Sequence, residues 1–448
     1  MKGHDMSTKK SFIIYLILLM GVFMYPTTSV FGNGVFVNLM EIPSSFNPVG
    51  SGARAIGMGG AFIAVADDAT AASWNPGGLV QLTLPEFSLV TSYLHRGEEI
   101  DFGEDYPEAA GSHSVSEGDI NYFSAAYPFG LFNRNMIVSL SYQRLYDLNR
   151  DWKFAFSMPE RPFEDHWDYQ QTGSLSALGL SYCIQVIPQL SFGFTLNLWD
   201  DDLTDNHWEQ KYHLTRSAKE INASPLAFTS EKAYSFSGIN ANLGMLWRIN
   251  YKLTLGAVLK TPFNADVEHK SQEKQASEYM PEDIVISDSR DEEIEMPMSY
   301  GIGFAYKFSD SFFMSADYYR TEWDDFIYRD NQGNETSPIS GRAISESDVS
   351  PTNQIRIGAE YRFINAEKGY VIPIRGGIFY DPAPAEGNPD DFYGFSLGLG
   401  LTRNDRFSLD IAYQYRRGND VGESMFENLQ FSQDVDEHTV YLSVIFYP

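Results

Sequence analysis

Few residue sets in this chain could make or break a covalent bond. Gly394-Phe395-Ser396-Leu397-Gly398 matches the Gly-x-Ser-x-Gly pattern, in which a strained strand-to-helix turn exposes a nucleophilic serine. Here the motif lies in a run that alternates apolar and small residues, with its glycines on one side, so a strand is expected and the turn is not. Gly57-Met58-Gly59-Gly60 lacks the Lys-Ser/Thr ending of a phosphate-binding loop. The eight histidines show no His-x-x-x-His spacing and Cys183 is alone, so neither a metal centre nor an intramolecular disulfide is expected. No catalytic residue, metal ligand or cofactor follows, and the chain does not read as an enzyme.

The remaining chemistry is that of binding. Alternation puts Arg356, Glu360, Arg362, Arg375, Asp317 and Asp410 on inward faces of strands. Buried charges need partners, so mutual ion pairs, or pairs with Asp67 and Asp68 upstream, are the first expectation. The second is that Arg356 or Arg375 meets the carboxylate of a ligand. Trp152, Phe154, Phe156, Trp167, Trp199, Trp208, Trp323 and Phe326 fall in segments that do not read as membrane strands. A girdle of interfacial aromatics is slightly preferred for them. If they bind instead, a groove between segments 146–172 and 199–233 is the expected capture site, with Phe154, Phe156, Trp167, Trp199 and Trp208 as its candidates.

The elements that would position these groups follow from composition. Aromatic residues make up 15% of 448 residues, with 27 Tyr and 32 Phe. Mean hydropathy is nevertheless only -0.28, so apolar and polar residues must be interleaved, as in a transmembrane β-barrel. The 60 carboxylates against 32 Lys and Arg, net charge -28, exclude a nucleic-acid partner. Lys9 and Lys10 precede an apolar run from Phe12 to Tyr25, which reads as a secretory signal peptide over 1–32. The alternative, a membrane anchor, is short of the ~20 apolar residues that a spanning helix needs.

Period-two alternation predicts about fourteen antiparallel strands over 83–448, near 84–93, 120–127, 136–145, 173–185, 190–198, 234–248, 252–261, 297–307, 311–320, 353–363, 370–380, 392–402, 406–416 and 437–447. Leu190, Phe192, Phe194, Leu196 and Leu198, for example, oppose Ser191, Gly193, Thr195 and Asn197. Short connections at 186–189, 308–310 and 403–405 alternate with long loops at 199–233, 262–296 and 321–352, an arrangement that puts the short turns in the periplasm and the long loops outside. Acidic runs such as Asp200-Asp201-Asp202 and Asp288 to Glu295 read as solvated surface. A minor reading is a divalent cation held between these carboxylates and the phosphates of lipopolysaccharide, the expected neighbour of the barrel together with outer-membrane lipid.

Residues 33–82 do not alternate and are rich in Gly and Ala, as a compact plug packed in a narrow barrel would be. Gly52-Ala53-Arg54-Ala55, Gly57 to Phe62, Ala66-Asp67-Asp68-Ala69 and the turn Asn75-Pro76-Gly77 resemble the plug of FadL/TodX-type outer-membrane transporters. Ile372 to Asp381 and Asp391 to Ser396 resemble that family's late strands. The chain departs from the pattern in having Gly77 where the turn usually has Ala, and in ending Phe446-Tyr447-Pro448. The resemblance implies an all-β fold: a fourteen-stranded barrel with an N-terminal hatch whose gate residues are Asp67, Asp68, Asn75, Pro76 and Gly77. It also implies passive uptake of long-chain fatty acids, alkanes or aromatic hydrocarbons, with lateral exit beside a kinked early strand. Similar plugs occur in barrels that secrete proteins, so a secretion shuttle or interaction scaffold is the alternative.

Overall fold

The computed structural model describes residues 50–157, 163–218, 226–277, 282–403, 406–426 and 429–448. The expected signal peptide, 1–32, and the first part of the expected hatch, 33–49, lie outside them. The first strands are β1 (Glu86–Asp101), β2 (Gly111–Leu131), β3 (Arg134–Asp147), β4 (Arg150–Ser157), β5 (Phe163–Ile187) and β6 (Leu190–Trp199). Next come β7 (His207–Ala218), β8 (Leu226–Arg248), β9 (Leu253–Lys260), β10 (Phe263–Ser277), β11 (Ile284–Met296), β12 (Ser299–Lys307) and β13 (Phe312–Thr321). β14 (Ile327–Arg329), β15 (Glu335–Thr336), β16 (Thr352–Asn365), β17 (Tyr370–Tyr380), β18 (Phe392–Arg403), β19 (Phe407–Val421) and β20 (Ser432–Phe446) complete the set. Among the described residues the short α-helices are α1 (Ala53–Gly57), α2 (Ala71–Trp74) and α3 (Asp201–Thr204).

Fourteen strands close into an antiparallel barrel in the order β1-β2-β3-β5-β6-β8-β9-β12-β13-β16-β17-β18-β19-β20. β20 returns to β1 from Phe87↔Phe446 to Asp101↔Ser432, so the sheet has no edge and its backbone groups are satisfied in lipid. Alternation sets which face is which. Tyr393, Phe395, Leu397, Leu399 and Leu401 of β18 are exposed, whereas Ser396 between them is buried. Phe192, Phe194 and Leu196 of β6 likewise face outward while Ser191 and Thr195 are buried. Each of the fourteen expected strands is present.

The long connections differ from expectation. Segment 199–233 holds α3, β7 and the first part of β8, and 262–296 holds the β10 and β11 hairpin. These strands carry the wall past the apolar belt: β7 lies between β5 and β8, β10 between β8 and β11, and β14 adds to β11. The wall slips where proline interrupts it, at Pro262 between β9 and β10 and at Pro297 between β11 and β12. Thr261 patches the first slip: its N–H donates to Ala241 O at 2.9 Å and its Oγ1 accepts Ala241 N–H at 3.0 Å.

Residues 50–82 lie inside the bore. Ala53, Met58, Phe62, Trp74 and Leu79 are fully buried and share a core with the wall residues Ala126, Ile137, Val258 and Ala412. The hatch backbone lies directly on the wall because inward positions there are glycine. A Cβ on Gly193 would overlap Pro76 O, one on Gly256 would overlap Ile63 O, and one on Gly358 would overlap Met58 O.

Candidate ligand path through the bore

Asn75 is the clamp of the hatch. Its Nδ2 donates to Ile63 O at 2.8 Å and to Met245 O of β8 at 2.9 Å, and its Oδ1 accepts Gly77 N–H at 3.0 Å. Pro76 opens a 3-10 turn, Pro76–Gln81, where its missing N–H costs nothing. Gly77 O accepts from Ser191 Oγ at 2.7 Å and Cys183 Sγ at 3.4 Å. The turn therefore rests on β5, β6 and β8. The wall there is hydrogen-bonded without a break from Leu178↔Leu198 to Gln185↔Ser191 and from Leu190↔Trp247 to Trp199↔Gly238. The register shifts of the early strands lie at Val90/Thr91 between β1 and β2, at Arg144/Tyr146 between β3 and β5, and at Gln185/Ile187 between β5 and β6, the last beside this turn.

Asp67 and Asp68 do not pair with the wall arginines. Asp67 forms a two-pronged bond with Arg54 of the hatch itself, at 2.5 and 3.0 Å. Asp68 accepts Thr70 N–H at 2.9 Å and Thr70 Oγ1 at 2.5 Å, and stands 3.8 Å from Arg54. Arg54 is the link to the wall, reaching Glu360 Oε2 at 3.3 Å.

Mutual pairing accounts for the inward charges. Glu360 also receives Arg375 and Arg362, each at 2.5 Å, and Arg375 holds Asp410 at 2.6 Å. Asp317 Oδ2 accepts the N–H groups of Phe62 and Ile63 at 2.6 and 2.8 Å, fixing the hatch chain. Arg356 donates to Gly59 O at 3.0 Å, lies 3.4 Å from Asp381 and stacks over Phe379. Both arginines proposed for a ligand carboxylate are thus engaged by the protein. Sequence reading missed Asp381, Arg416 and Glu437, where Arg416 lies 3.4 Å from Asp381 and 3.2 Å from Glu437. Extending the β19 alternation beyond Asp410 would have placed Arg416 on the same face.

The aromatic candidates separate into two clusters. Phe154, Phe156 and Trp167 join Phe102, Phe426 and Phe431, with ring centroids 5.0 Å apart for Phe102–Phe154, Phe102–Phe156 and Phe156–Trp167. Trp199 belongs to the other, 5.8 Å from Phe263 and 5.9 Å from Phe236, with Trp208, Trp323 and Phe326. They do not form one groove, and they are not a girdle: Phe156 and Trp208 are 1% exposed and Trp199 4%. Period two turns them inward, since Trp152, Phe154 and Phe156 alternate in β4 with Lys153 and other less buried residues. Exposed aromatics such as Tyr93, Tyr361 and Tyr393 hold the outer face instead.

Between the second cluster and the hatch is a cavity of about 50 Å³, lined by Tyr146, Trp199, Phe263, Tyr319 and Trp323 and by the amides of Gln143, Asn197, Asn240 and Asn242. Asn240 Oδ1 accepts from both Asn197 Nδ2 and Trp199 Nε1 at 3.0 Å. These amides were not singled out in the sequence. Of the acidic groupings, Glu117, Asp119 and Asp147 converge, but Arg144 pairs with all three.

A closed barrel with a lipid-facing apolar exterior, a bore filled by its own leading segment and an aromatic mouth defines an outer-membrane transport protein. The chain belongs to the family described as "Outer membrane protein transport protein (OMPP1/FadL/TodX)", which it matches over residues 46–442. Among solved structures it is similar to a Pseudomonas aeruginosa FadL homologue, at 13% identity and a TM-score of 0.61 over 89% of this chain and 98% of that one. It is also similar to the P. putida toluene transporter TodX, at 14% identity and a TM-score of 0.59 over 89% and 98%. For the Ralstonia pickettii toluene transporter TbuX the values are 13% and 0.52 over 90% and 100%. At these identities the likeness is one of fold. No curated protein matches the chain.

Proposed function

We propose that the protein admits small neutral hydrophobic compounds, single-ring aromatic hydrocarbons foremost, by passive diffusion through the aromatic mouth and past the hatch. The observation that carries this reading is the pairing of the bore's arginines. A fatty-acid carboxylate reaching Arg375 would have to displace Glu360 or Asp410, and unpairing a buried charge costs about 3–5 kcal/mol. A neutral ring displaces neither. The toluene transporters among the similar structures support the same cargo. An apolar solute gains roughly 25 cal/mol per Å² on leaving water, so no energy source is needed. The cavity of about 50 Å³ is below the ~150 Å³ that takes up benzene in an engineered cavity, so the aromatic clusters must part as cargo passes. Exit then requires the Asn75 clamp to release. Catalysis has no part in this reading, because Ser396 of the Gly-x-Ser-x-Gly motif anchors the hatch by accepting Gly59 N–H at 2.7 Å.

The test is uptake by cells lacking the protein, with and without complementation, using labelled toluene, hexadecane and oleate. Restored toluene uptake, several-fold faster than in the deletion, with oleate unchanged, is the expected result. Restored oleate with unchanged toluene would overturn it. Unchanged uptake of all three together with a secretion defect would point to the shuttle instead.

A further inference from the structure

Above the apolar belt, the inner face of the β7-β8-β10-β11-β14 wall encloses a second cavity, of about 160 Å³. Its character differs from that of the bore. Trp208, Tyr234 and His269 form a stack, with ring centroids 4.6 and 4.3 Å apart and planes within 8° and 19°. Glu292 Oε2 meets His269 Nδ1 at 3.0 Å and also accepts the Tyr328 hydroxyl. A carboxylate can only accept, so Nδ1 carries a ring hydrogen and Nε2 is the ring atom left to meet a ligand.

Three polar atoms of these lining residues have no partner: His269 Nε2, Glu292 Oε1 and Trp208 Nε1. The residues are 8%, 4% and 1% exposed. A buried polar atom left unpaired costs about 1–3 kcal/mol, so three in one cavity, among them the Glu292 acceptor and the Trp208 donor, call for a group that both donates and accepts. A hydroxyl does both. The charges of the lining are close to balance, with Lys232 and Arg290 against Glu273, Glu292 and Asp330, which favours a neutral occupant. Arg290 and Asp330 are also held locally, by Asp288 at 2.6 Å and by Asn334 N–H at 2.9 Å. The volume matches one six-membered ring, since a ~150 Å³ cavity holds benzene.

We propose that this cavity binds a neutral phenolic ring, whose hydroxyl donates to Glu292 Oε1 and accepts from the Trp208 N–H. The site borders the second aromatic cluster, to which Trp208 and Tyr234 belong, but shares no lining residue with the cavity beside the hatch, and its ligand need not be the transported cargo. A site built to bond a hydroxyl rejects the analogue that lacks it far more strongly than an apolar pocket rejects an added one. Phenol and toluene therefore make the discriminating pair.

The experiment is equilibrium dialysis of labelled phenol and labelled toluene against the purified full-length protein in detergent, with empty micelles subtracted. Folding of each variant is checked by its heat-modifiable electrophoretic mobility. Saturable phenol binding at least tenfold tighter than any toluene binding at the same site is expected. Glu292→Gln should weaken phenol at least tenfold and leave toluene unchanged. Should that variant not fold, Trp208→Phe keeps the ring stack, removes only the donor, and should weaken phenol several-fold. Absence of saturable phenol binding, equal affinity for both rings, or full phenol affinity in the variants would overturn the proposal. So would displacement of phenol by methyl glucoside at lower concentration than by phenol itself, which would assign the cavity to a sugar.

Discussion

At Glu360 three guanidinium groups converge on one carboxylate, from Arg54 of the hatch and from Arg362 and Arg375 of the wall, with only 1% of the side chain exposed. One residue thus ties plug to barrel. Glu360→Gln keeps the shape and removes the charge, leaving three cations facing an amide, with an expected loss of about 3–5 kcal/mol from hatch attachment. The barrel ladder does not involve this side chain, so the loss should appear as a loosened plug: faster proteolysis within 50–82 and raised single-channel conductance in planar bilayers, with heat-modifiable mobility retained. Wild-type conductance and protease resistance would show that the network is not what holds the hatch. The inward facing of Asp317, Arg356, Glu360, Arg362, Arg375 and Asp410 was legible because a strand repeats every two residues. That Arg54 would be the partner of Asp67 was not, because the hatch is too irregular for any period to bring positions 54 and 67 together.

Strands were legible where one face meets lipid and the other does not. β18 sets Tyr393, Phe395, Leu397 and Leu399 against smaller inward residues, and its expected span, 392–402, differs by one residue from the observed one. The second half of β10 gives no such signal, because Glu268, Lys270, Gln272 and Lys274 on one face oppose His269, Ser271 and Glu273 on the other. Polar on both faces, it reads as loop although Glu268 to Lys274 are paired with both β8 and β11. The glycines of the wall were seen as inward but not as a seat, since which chain lies against them is a long-range fact. Gly377 supplies the test. A Cβ there would overlap Gly59 N and the Met58 carbonyl carbon, whereas at the neighbouring Gly376 the nearest atoms are 3.9 Å away. Gly377→Ala should displace the hatch and admit polar antibiotics normally excluded by the outer membrane, lowering their inhibitory concentration several-fold, while Gly376→Ala should leave it unchanged. Equal behaviour of the two variants would remove the glycine seat from the account.

The molecule as a whole is taller than the bilayer it crosses. β5 has 25 residues. At about 3.3 Å per residue and a tilt near 40° such a strand rises roughly 60 Å, against an apolar band of about 25 Å. The outer part therefore cannot draw stability from lipid-facing surface and relies on its inward aromatic clusters, under which some ionisable groups are buried. Asp390, whose Oδ2 accepts Gly422 N–H at 2.8 Å, has its pKa pushed up to about 6 by burial, with Glu423 and Asp391 adding to the rise. Burial pushes Lys232 down to about 8, against the opposing pull of Glu273 and Glu292. The signs differ. A raised carboxyl pKa gives the folded state extra proton affinity, a contribution fully present below the unfolded pKa of about 3.9 and lost as pH rises through about 6. A lowered lysine pKa leaves a penalty at every pH below about 8, relieved as pH rises from there towards about 10.4. Between pH 6 and 8 the outer wall therefore carries both penalties, and it should be least protected there. Amide exchange near Asp390, corrected for the intrinsic chemical rate, is expected to be about tenfold slower at pH 5 than at pH 7, the change produced by roughly one pK of differential proton binding. Asp390→Asn should abolish that difference by becoming as protected at pH 7 as the wild type at pH 5, and Lys232→Met should raise protection at pH 7 around β8. Equal exchange in the wild type at both pH values, or an undiminished pH response in Asp390→Asn, would mean that the outer wall is held by its aromatic packing alone.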